Sequence, residues 1–122
     1  MAKKRILIVD DEPNIVTSLE FLMRREGFEV DIAADGEQAL RAVGRIVPDL
    51  VLLDIMLPRL NGFEVCEKLR NDPRSAQVKI VMLTAKGRDT DVAKGMAMGA
   101  DLYVTKPFST KELVEQIRQM LG

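Results

Sequence analysis

The chain has 122 residues, 47% of them hydrophobic, which suits one domain with a sizeable core. Eighteen basic and nineteen acidic residues leave a formal charge of −1, so the overall balance does not favour nucleic acid or an anionic membrane surface as a partner. Histidine is absent and Cys66 is the only cysteine, which excludes an intramolecular disulfide, a multi-cysteine zinc site and histidine acid–base catalysis.

The first strand-like segment, Ile6–Val9, follows a short basic start and is too short for a signal peptide or a membrane span. We therefore expect a cytoplasmic protein. A helix is predicted to begin near Pro13 and to end before Gly27, because proline suits a first helical turn and glycine often follows a last one. Phe28–Ala33 is the second predicted strand, and Asp35 then opens the second helix with a glutamine three residues later, as in a capping box.

The third strand, Leu50–Leu53, is wholly aliphatic, and Asn61 with Glu64 forms a second capping-box pattern at the start of the third helix. Ile80–Leu83 is the fourth strand, followed by a helix predicted over Asp89–Met98. Strand-like and helix-like segments thus alternate without a linker or an internal repeat.

Leu102–Thr105 is the last predicted strand, and Ser109 with Glu112 caps the last helix. The five βα units predict an α/β fold, a single domain over residues 1–122 with a doubly wound, five-stranded parallel sheet. The second and fifth strands contain polar positions that suit the sheet edges, whereas the other three are nearly all aliphatic. The strand order 2-1-3-4-5 satisfies this division.

Four of the strands end on residues suited to phosphate or metal chemistry: Asp10 and Asp11, Asp54, Thr84, and Lys106. The carboxyl ends of parallel strands share one edge of a sheet, which is where open α/β sheets bind ligands. Taken singly, each residue also has an ordinary structural explanation as a cap, a strand end or an exposed charge. Together they predict a site for a divalent cation and a phosphoryl group.

Asp54 is the residue expected to carry the reaction, because a carboxylate can attack phosphorus and become an acyl phosphate. Two adjacent acids at positions 10 and 11 make sense if a cation lies between them. Mg²⁺ prefers about six oxygen ligands, and a suitable set is Asp11 and Asp54 directly, the carbonyl of Met56, Asp10 through water, and a phosphoryl oxygen. Lys106 precedes Pro107, and a cis bond there would turn the lysine over the sheet edge.

Seven short motifs occur in an order and spacing that are specific as a set. They are Val9-Asp10-Asp11-Glu12-Pro13, Asp35-Gly36, Leu53-Asp54-Ile55-Met56-Leu57-Pro58, Asn61-Gly62, Leu83-Thr84-Ala85, Gly99-Ala100-Asp101 and Lys106-Pro107-Phe108. Through these motifs the chain resembles, along essentially its whole length, the receiver domain of two-component response regulators, of the chemotaxis-regulator-like kind. The resemblance implies a flavodoxin-like fold and a phosphorylation-activated signalling switch that is not an enzyme beyond slow self-dephosphorylation.

The resemblance also implies roles for individual residues and a set of partners. The implied roles are phosphoacceptor for Asp54, acidic metal pair for Asp10 and Asp11, switch hydroxyl for Thr84, switch aromatic for Tyr103 and phosphate-binding lysine for Lys106. A histidine kinase or a histidine phosphotransfer protein would donate the phosphoryl group in the presence of Mg²⁺. The surface of helix four, strand five and helix five would then control an output domain or target protein, without direct contact to nucleic acid or membrane.

On that output surface we expect a partly exposed apolar patch of Val92, Met98 and Leu102, on the premise that Ala93, Met96 and Ala100 face the sheet. Charges that pair many related receivers are replaced here by apolar residues. A phosphorylation-dependent homodimer stays open, although these residues do not favour the charge-paired form. We expect a helix of a partner or an output domain to dock on the patch.

Three other functions are compatible with the residue pattern. A Mg²⁺-dependent phosphohydrolase also uses an aspartyl phosphate, but its first strand would end in D-x-D, whereas this one ends in D-D-E-P. A flavodoxin-like cofactor module would need backbone donors where this chain places acids. A receiver fold that works only as an interaction module is the third alternative.

Overall fold

In the computed structural model, residues 3–85 and 89–122 are described, without the side chains at 85 and 89–92. Strands and helices alternate throughout. The elements are β1 (Arg5–Val9), α1 (Pro13–Arg25), β2 (Glu29–Ala33), α2 (Gly36–Arg45), β3 (Leu50–Asp54), α3 (Gly62–Asn71), β4 (Lys79–Ala85), α4 (Asp89–Ala97), β5 (Leu102–Lys106) and α5 (Thr110–Leu121). All five predicted strands and all five predicted helices are present at the predicted places.

The five strands form one parallel sheet in the order β2-β1-β3-β4-β5, which confirms the predicted topology. Every residue of β3 is buried, because helices cover the sheet on both faces. The edge strands β2 and β5 keep half-buried and exposed positions. Among the described residues, no helix is long and apolar enough to cross a lipid bilayer.

Two hydrophobic cores lie on opposite faces of the sheet. One core packs α2 and α3 against the sheet, with Val65 and Leu69 among its buried members. The other packs α1 and α5, with Leu19 and Ile117 at its centre. The alternation of side chains along each strand divides the aliphatic runs between the two cores, which explains why the central strands need apolar residues at every position.

The helix starts follow the predicted caps with one difference. The side chain of Asn61 accepts the Glu64 N–H while Glu64 accepts the Asn61 N–H, which completes the predicted capping box of α3. Ser109 accepts the N–H of the residue three positions later at the start of α5. At the start of α2, Asp35 accepts the Gln38 N–H, but the Gln38 side chain accepts from the backbone of the residue before Asp35.

Arg70, at the end of α3, joins three separate segments at the end of the sheet opposite the acidic strand ends. Its guanidinium donates to the carbonyl oxygens of Ala76, Val78 and Gly99 and to the carboxylate of Asp101. The same carboxylate oxygen of Asp101 accepts the backbone N–H of β4 at 2.8 Å. The planar fork of arginine suits this set of acceptors, which fixes the turn between α4 and β5.

The predicted apolar patch on α4 and β5 is wrong for the residues that are described. Ala100 is buried as expected, but Ala93 and Met96 do not face the sheet, because both are exposed. Met98 packs against the core beneath α2 and α3, whereas Leu102 packs against the core beneath α1 and α5. The two side chains therefore lie on opposite faces of the sheet, and the side chain of Val92 lies outside the described residues.

Candidate functional site

The strand ends bring the predicted site residues to one edge of the sheet. Val9, directly before Asp10, is the register partner of Leu53, directly before Asp54. On the other side of β3, Asp54 lies opposite Leu83. The parallel register thus aligns the ends of β1, β3 and β4.

The last residue of β5, Lys106, has its register partner in the last residue of β4, one position after Thr84. The Lys106–Pro107 peptide bond is cis. The carboxylates, the hydroxyl and the lysine that were predicted from distant segments therefore share the edge formed by the carboxyl ends of the strands.

The ammonium of Lys106 lies among three carboxylates. Its Nζ atom lies 3.1 Å from Oδ2 of Asp10, 3.5 Å from Oδ2 of Asp54 and 3.6 Å from Oε1 of Glu12. The side chains of Asp10 and Asp54 are almost fully buried, whereas that of Glu12 is 62% exposed. One cation thus offsets part of the repulsion between two buried acids.

The second oxygens of the two buried acids are held in the same way. Oδ1 of Asp10 accepts the backbone N–H of Glu12 at 2.9 Å. Oδ1 of Asp54 accepts the backbone N–H of Met56 at 3.2 Å. In each case the donor is two residues further along the chain, so the loop after the strand orients the carboxylate and leaves the other oxygen facing the lysine.

Burial and the neighbouring acids set the charge of the site. Burial, followed by the negative charge of Asp10, raises the pKa of Asp54 from 3.8 to about 6, although Lys106 and the Met56 N–H oppose the shift. Burial disfavours the charged form of Lys106, but the charges of Asp54, Asp10 and Glu12 outweigh it and raise the pKa of this ammonium. Asp54 is therefore mostly ionised at neutral pH, as a nucleophile must be.

The carboxylates are close enough to one another to hold a metal ion. Oxygens of Asp10, Glu12 and Asp54 lie within 4.8 Å of one another. Asp11 is exposed and lines, with Met56, an adjoining cleft of about 540 Å³. An all-oxygen donor set of this kind fits Mg²⁺.

Glu12 belongs to the acidic cluster, although no role was predicted for it from the sequence. Its position two residues after Asp10 in the motif could have indicated one. The backbone N–H of Glu12 binds the carboxylate of Asp10, and its own carboxylate joins the cluster 3.6 Å from the ammonium of Lys106.

The first turn of α3 supports the backbone of Asp54. A Cβ atom at Gly62 would lie 2.6 Å from the carbonyl oxygen of Asp54 and 2.8 Å from Cα of Ile55. The Gly62 N–H also donates to the Ile55 carbonyl at 2.9 Å. Only glycine permits this approach, so the helix start and the end of β3 form one closely packed unit.

Thr84 and Tyr103, the predicted switch residues, lie on the paired strands β4 and β5. Thr84 is buried at the edge of the sheet, one position beyond the register partner of Asp54. Tyr103 is half-buried in β5 opposite Met82, two positions before Thr105, which is the register partner of Thr84. The two side chains are on strands that pair directly.

Comparison with known proteins identifies the family. The family model of the response regulator receiver domain matches residues 6–118. The chain belongs to this family. Receiver domains of two-component response regulators are phosphorylation-activated signalling switches, and this function is favoured over that of a phosphohydrolase.

Individual relatives agree with the receiver-domain family. The DNA-binding response regulator MtrA of Mycolicibacterium smegmatis is 51% identical over 119 residues, which are 98% of this chain and 51% of MtrA. The alkaline phosphatase synthesis transcriptional regulatory protein PhoP of Bacillus subtilis is 46% identical over 118 residues, 97% of this chain and 48% of PhoP. The receiver chain thus spans about half the length of the curated relatives it matches.

A solved receiver domain has the same fold and a metal in its site. The receiver domain of the sensor histidine kinase PA1611 from Pseudomonas aeruginosa PAO1 has a TM-score of 0.91 and 33% sequence identity, and the match covers 99% of each chain. That structure contains a magnesium ion coordinated in the active-site cleft. The fold of the present receiver and the position of its acidic edge are consistent with this relationship.

Proposed function

We propose that Asp54 is the phosphoryl acceptor of this receiver. The observation that carries the proposal is the placement of Lys106, whose ammonium lies against a buried oxygen of Asp54 and another of Asp10. A phosphoryl group on Asp54 would bring further negative charge to this point. The lysine provides a fixed cation there without any rearrangement of the strands.

The phosphoryl group would come from a phosphohistidine of a histidine kinase or a phosphotransfer protein. An ionised oxygen of Asp54 forms a bond to phosphorus while the phosphorus–nitrogen bond breaks, and the electron pair of that bond returns to the imidazole. The backbone N–H of Met56 holds the other carboxylate oxygen of Asp54. This contact keeps one oxygen directed toward the donor and the lysine.

We assign the metal to Asp10, Asp11, Asp54 and the carbonyl of Met56, the set predicted from the sequence. The ammonium of Lys106 lies 3.6 Å from Glu12, whereas Asp11 and Met56 line a cleft whose lining does not include Lys106 or Glu12. A second cation would avoid the ammonium and enter from the cleft. When bound, Mg²⁺ would neutralise charge on the transferring group.

The switch would use Thr84 and Tyr103. A phosphoryl group on Asp54 offers oxygens that the Thr84 hydroxyl can bind, which would draw that side chain toward the site. The space that it leaves would admit the Tyr103 ring and alter the surface of α4, β5 and α5. The register of β4 and β5 supports this path, because the two residues are separated by one pair of positions.

The output is proposed from the named relatives. MtrA is a DNA-binding response regulator, so we propose that this receiver controls a DNA-binding output domain. This proposal refines the expectation of no direct contact with nucleic acid, since the contact would belong to the output domain and the receiver itself carries a net charge of −1. We also propose that residues 1–122 are one receiver domain that acts in the cytoplasm.

Intact-mass spectrometry after incubation with Mg²⁺ and acetyl phosphate tests the acceptor. We expect a gain of one phosphoryl group that is lost in Asp54→Asn. Asp31→Asn is the matched control, because Asp31 is an aspartate on β2 that pairs with Arg5 away from the site. That variant should be phosphorylated like the unmodified protein.

Other outcomes would favour the alternative functions. Repeated turnover of acetyl phosphate with rapid phosphate release would indicate a phosphohydrolase. Absence of any phosphorylation in the folded protein would indicate an interaction module and overturn the proposal. Phosphorylation that persists in Asp54→Asn would place the acceptor at another residue.

A further inference from the structure

Gly95 of α4 lies directly against the ring of Tyr103. A Cβ atom at position 95 would overlap the hydroxyl oxygen, Cε2 and Cζ of that ring. Gly95 is buried, and Tyr103 packs against the core beneath α2 and α3. The phenol therefore occupies a space that exists only because residue 95 has no side chain.

The backbone at Gly95 is held in place by the end of α4. Its carbonyl accepts the Ala100 N–H at 3.0 Å, and the Met96 carbonyl accepts the Gly99 N–H at 3.2 Å. Gly99 has φ +105°, so these two bonds form a Schellman motif. Arg70 donates to the Gly99 carbonyl at 2.9 Å and fixes the same turn to α3. Gly95 cannot retreat from Tyr103 without breaking these contacts.

The strand on the other side of the contact is also held. The Asp101 N–H donates to the Ile80 carbonyl at 2.8 Å, and the Asp101 carboxylate accepts the Ile80 N–H at 2.8 Å. Tyr103 then pairs with Met82 in the sheet. With both backbones fixed, a side chain at position 95 would have to be accommodated by rotation of Tyr103 about its own side-chain bonds.

We propose that Gly95 is a positioning residue for Tyr103, and that its missing side chain stabilises the ring position of the unphosphorylated receiver. While Thr84 keeps its unphosphorylated position, the core beneath α2 and α3 already packs against the ring, so a phenol displaced by an added side chain would move outward, away from that core. The consequence for signalling rests on the proposed function of Asp54 and Tyr103. If phosphorylation moves the ring away from Gly95 and into the space left by Thr84, a side chain at position 95 destabilises only the unphosphorylated ring position and so favours the phosphorylated arrangement.

The sequence provides a specific reporter for the test. Tyr103 is the only tyrosine and the chain has no tryptophan, so tyrosine fluorescence reports on this one ring. In the protein without phosphoryl mimic, we expect acrylamide to quench Gly95→Ala more strongly than the unmodified protein. An unchanged quenching constant would overturn the inference, because the ring would then tolerate the added methyl group where it lies.

Gly44→Ala is the matched control. Gly44 is also inside a helix, α2, but it is exposed and an added Cβ atom has no neighbour within 4 Å. This change should raise the melting temperature through helix propensity and leave tyrosine quenching unchanged. A quenching change in Gly44→Ala as large as that in Gly95→Ala would also overturn the inference, since it would not be specific to the contact.

A second variant keeps the test decisive if Gly95→Ala folds poorly. In a Tyr103→Val background the ring is absent, so Gly95→Ala should raise the melting temperature as Gly44→Ala does. If Gly95→Ala raises the melting temperature in the Tyr103→Val background but lowers it when Tyr103 is present, the added methyl group clashes with the ring. A fall in both backgrounds would show that position 95 conflicts with other atoms and would overturn the inference.

Titration with beryllium fluoride and Mg²⁺, a phosphoryl mimic, tests the consequence for the switch. We expect half-saturation of Gly95→Ala at a concentration about fivefold lower than for the unmodified protein, the lower end of typical coupling. An unchanged or higher midpoint would overturn the link to the switch. If Tyr103 fluorescence of the unmodified protein does not respond to the mimic, the proposed switch itself fails, whereas the quenching comparison without mimic still tests the Gly95 contact.

Discussion

The ammonium of Lys106 lies 3.5 Å from the carboxylate of Asp54, although the two residues end strands that are separated by β4 in the sheet. The lysine side chain reaches across β4 to the end of β3, where the acid is buried. This relationship connects the charge state of the proposed acceptor with the stability of the fold, and each can be measured separately.

Protein stability should depend on pH through Asp54. The folded-state pKa of this acid is raised from 3.8 to about 6, so the folded protein binds a proton more tightly than the unfolded chain does. The resulting stabilisation is fully present below pH 3.8 and is lost as the pH rises through about 6. The expected loss in the absence of metal is roughly 2 to 3 kcal/mol. Urea denaturation at several pH values should show this slope, which Asp54→Asn should remove and Asp31→Asn should keep. An equal slope in all three proteins would assign the effect to other groups.

Lys106→Met should destabilise the receiver most strongly at high pH. The change leaves the carboxylates of Asp10 and Asp54 buried without their cation, which should raise the pKa of Asp54 above about 6. We expect a loss of about 2 to 4 kcal/mol at pH values above this point and a smaller loss near pH 5, where Asp54 can take up a proton. Denaturation of Lys106→Met and of the exposed control Lys111→Met at both pH values checks this. A loss in Lys106→Met that is independent of pH would contradict the electrostatic explanation.

Mg²⁺ affinity should distinguish between Asp11 and Glu12. If the ion enters from the cleft, Asp11→Asn should weaken binding by at least about tenfold, a change that even residues supporting a ligand typically cause. Glu12→Gln should have a smaller effect, because its carboxylate lies 3.6 Å from the ammonium of Lys106, which would repel a second cation there. Isothermal titration calorimetry of the two isosteric variants measures both affinities. A larger loss in Glu12→Gln would move the metal to the cluster of Asp10, Glu12 and Asp54.

Arg70→Lys should destabilise the fold, although it preserves the charge. Lysine cannot reproduce the planar set of hydrogen bonds that Arg70 makes to the carbonyls of Gly99 and Val78 and to Asp101. We expect a loss of about 2 kcal/mol in the free energy of unfolding. The control is Arg74→Lys, whose side chain is exposed and pairs with Asp72 in its own turn, so its melting temperature should hardly change. Equal effects in the two variants would remove the special role of Arg70.

Much of the fold and the site edge was predictable from the sequence, because the signals are local. Strands of consecutive aliphatic residues indicated a sheet covered on both faces, and β1 and β3 are buried along nearly their whole lengths. The two mixed segments indicated the edge strands, and the order 2-1-3-4-5 satisfies that assignment. Once the order is known, the shared edge brings Asp10, Asp54 and Lys106 together without further information.

The surface of α4 was not predictable in the same way. Apart from Lys94, residues 93–97 of this helix are alanine, glycine and methionine. The spacing of apolar residues therefore does not show which side of the helix faces the sheet. The structure buries Gly95, the residue with no side chain, and exposes Met96. The reason is the ring of Tyr103, a contact from another strand that no pattern within the helix contains.

The close packing of Gly62 against Asp54 limits how the charge of an aspartyl phosphate can be imitated by mutation. The end of β3 cannot move back to make room for a longer acid, because the start of α3 already touches its backbone. A glutamate at position 54 would therefore project its extra methylene group forward, toward the ammonium of Lys106 and the carboxylate of Asp10, which lie 3.1 Å apart. Its carboxylate would compete for the lysine rather than extend past it, so such a substitution would imitate the size of the modified residue without reproducing where its charge lies.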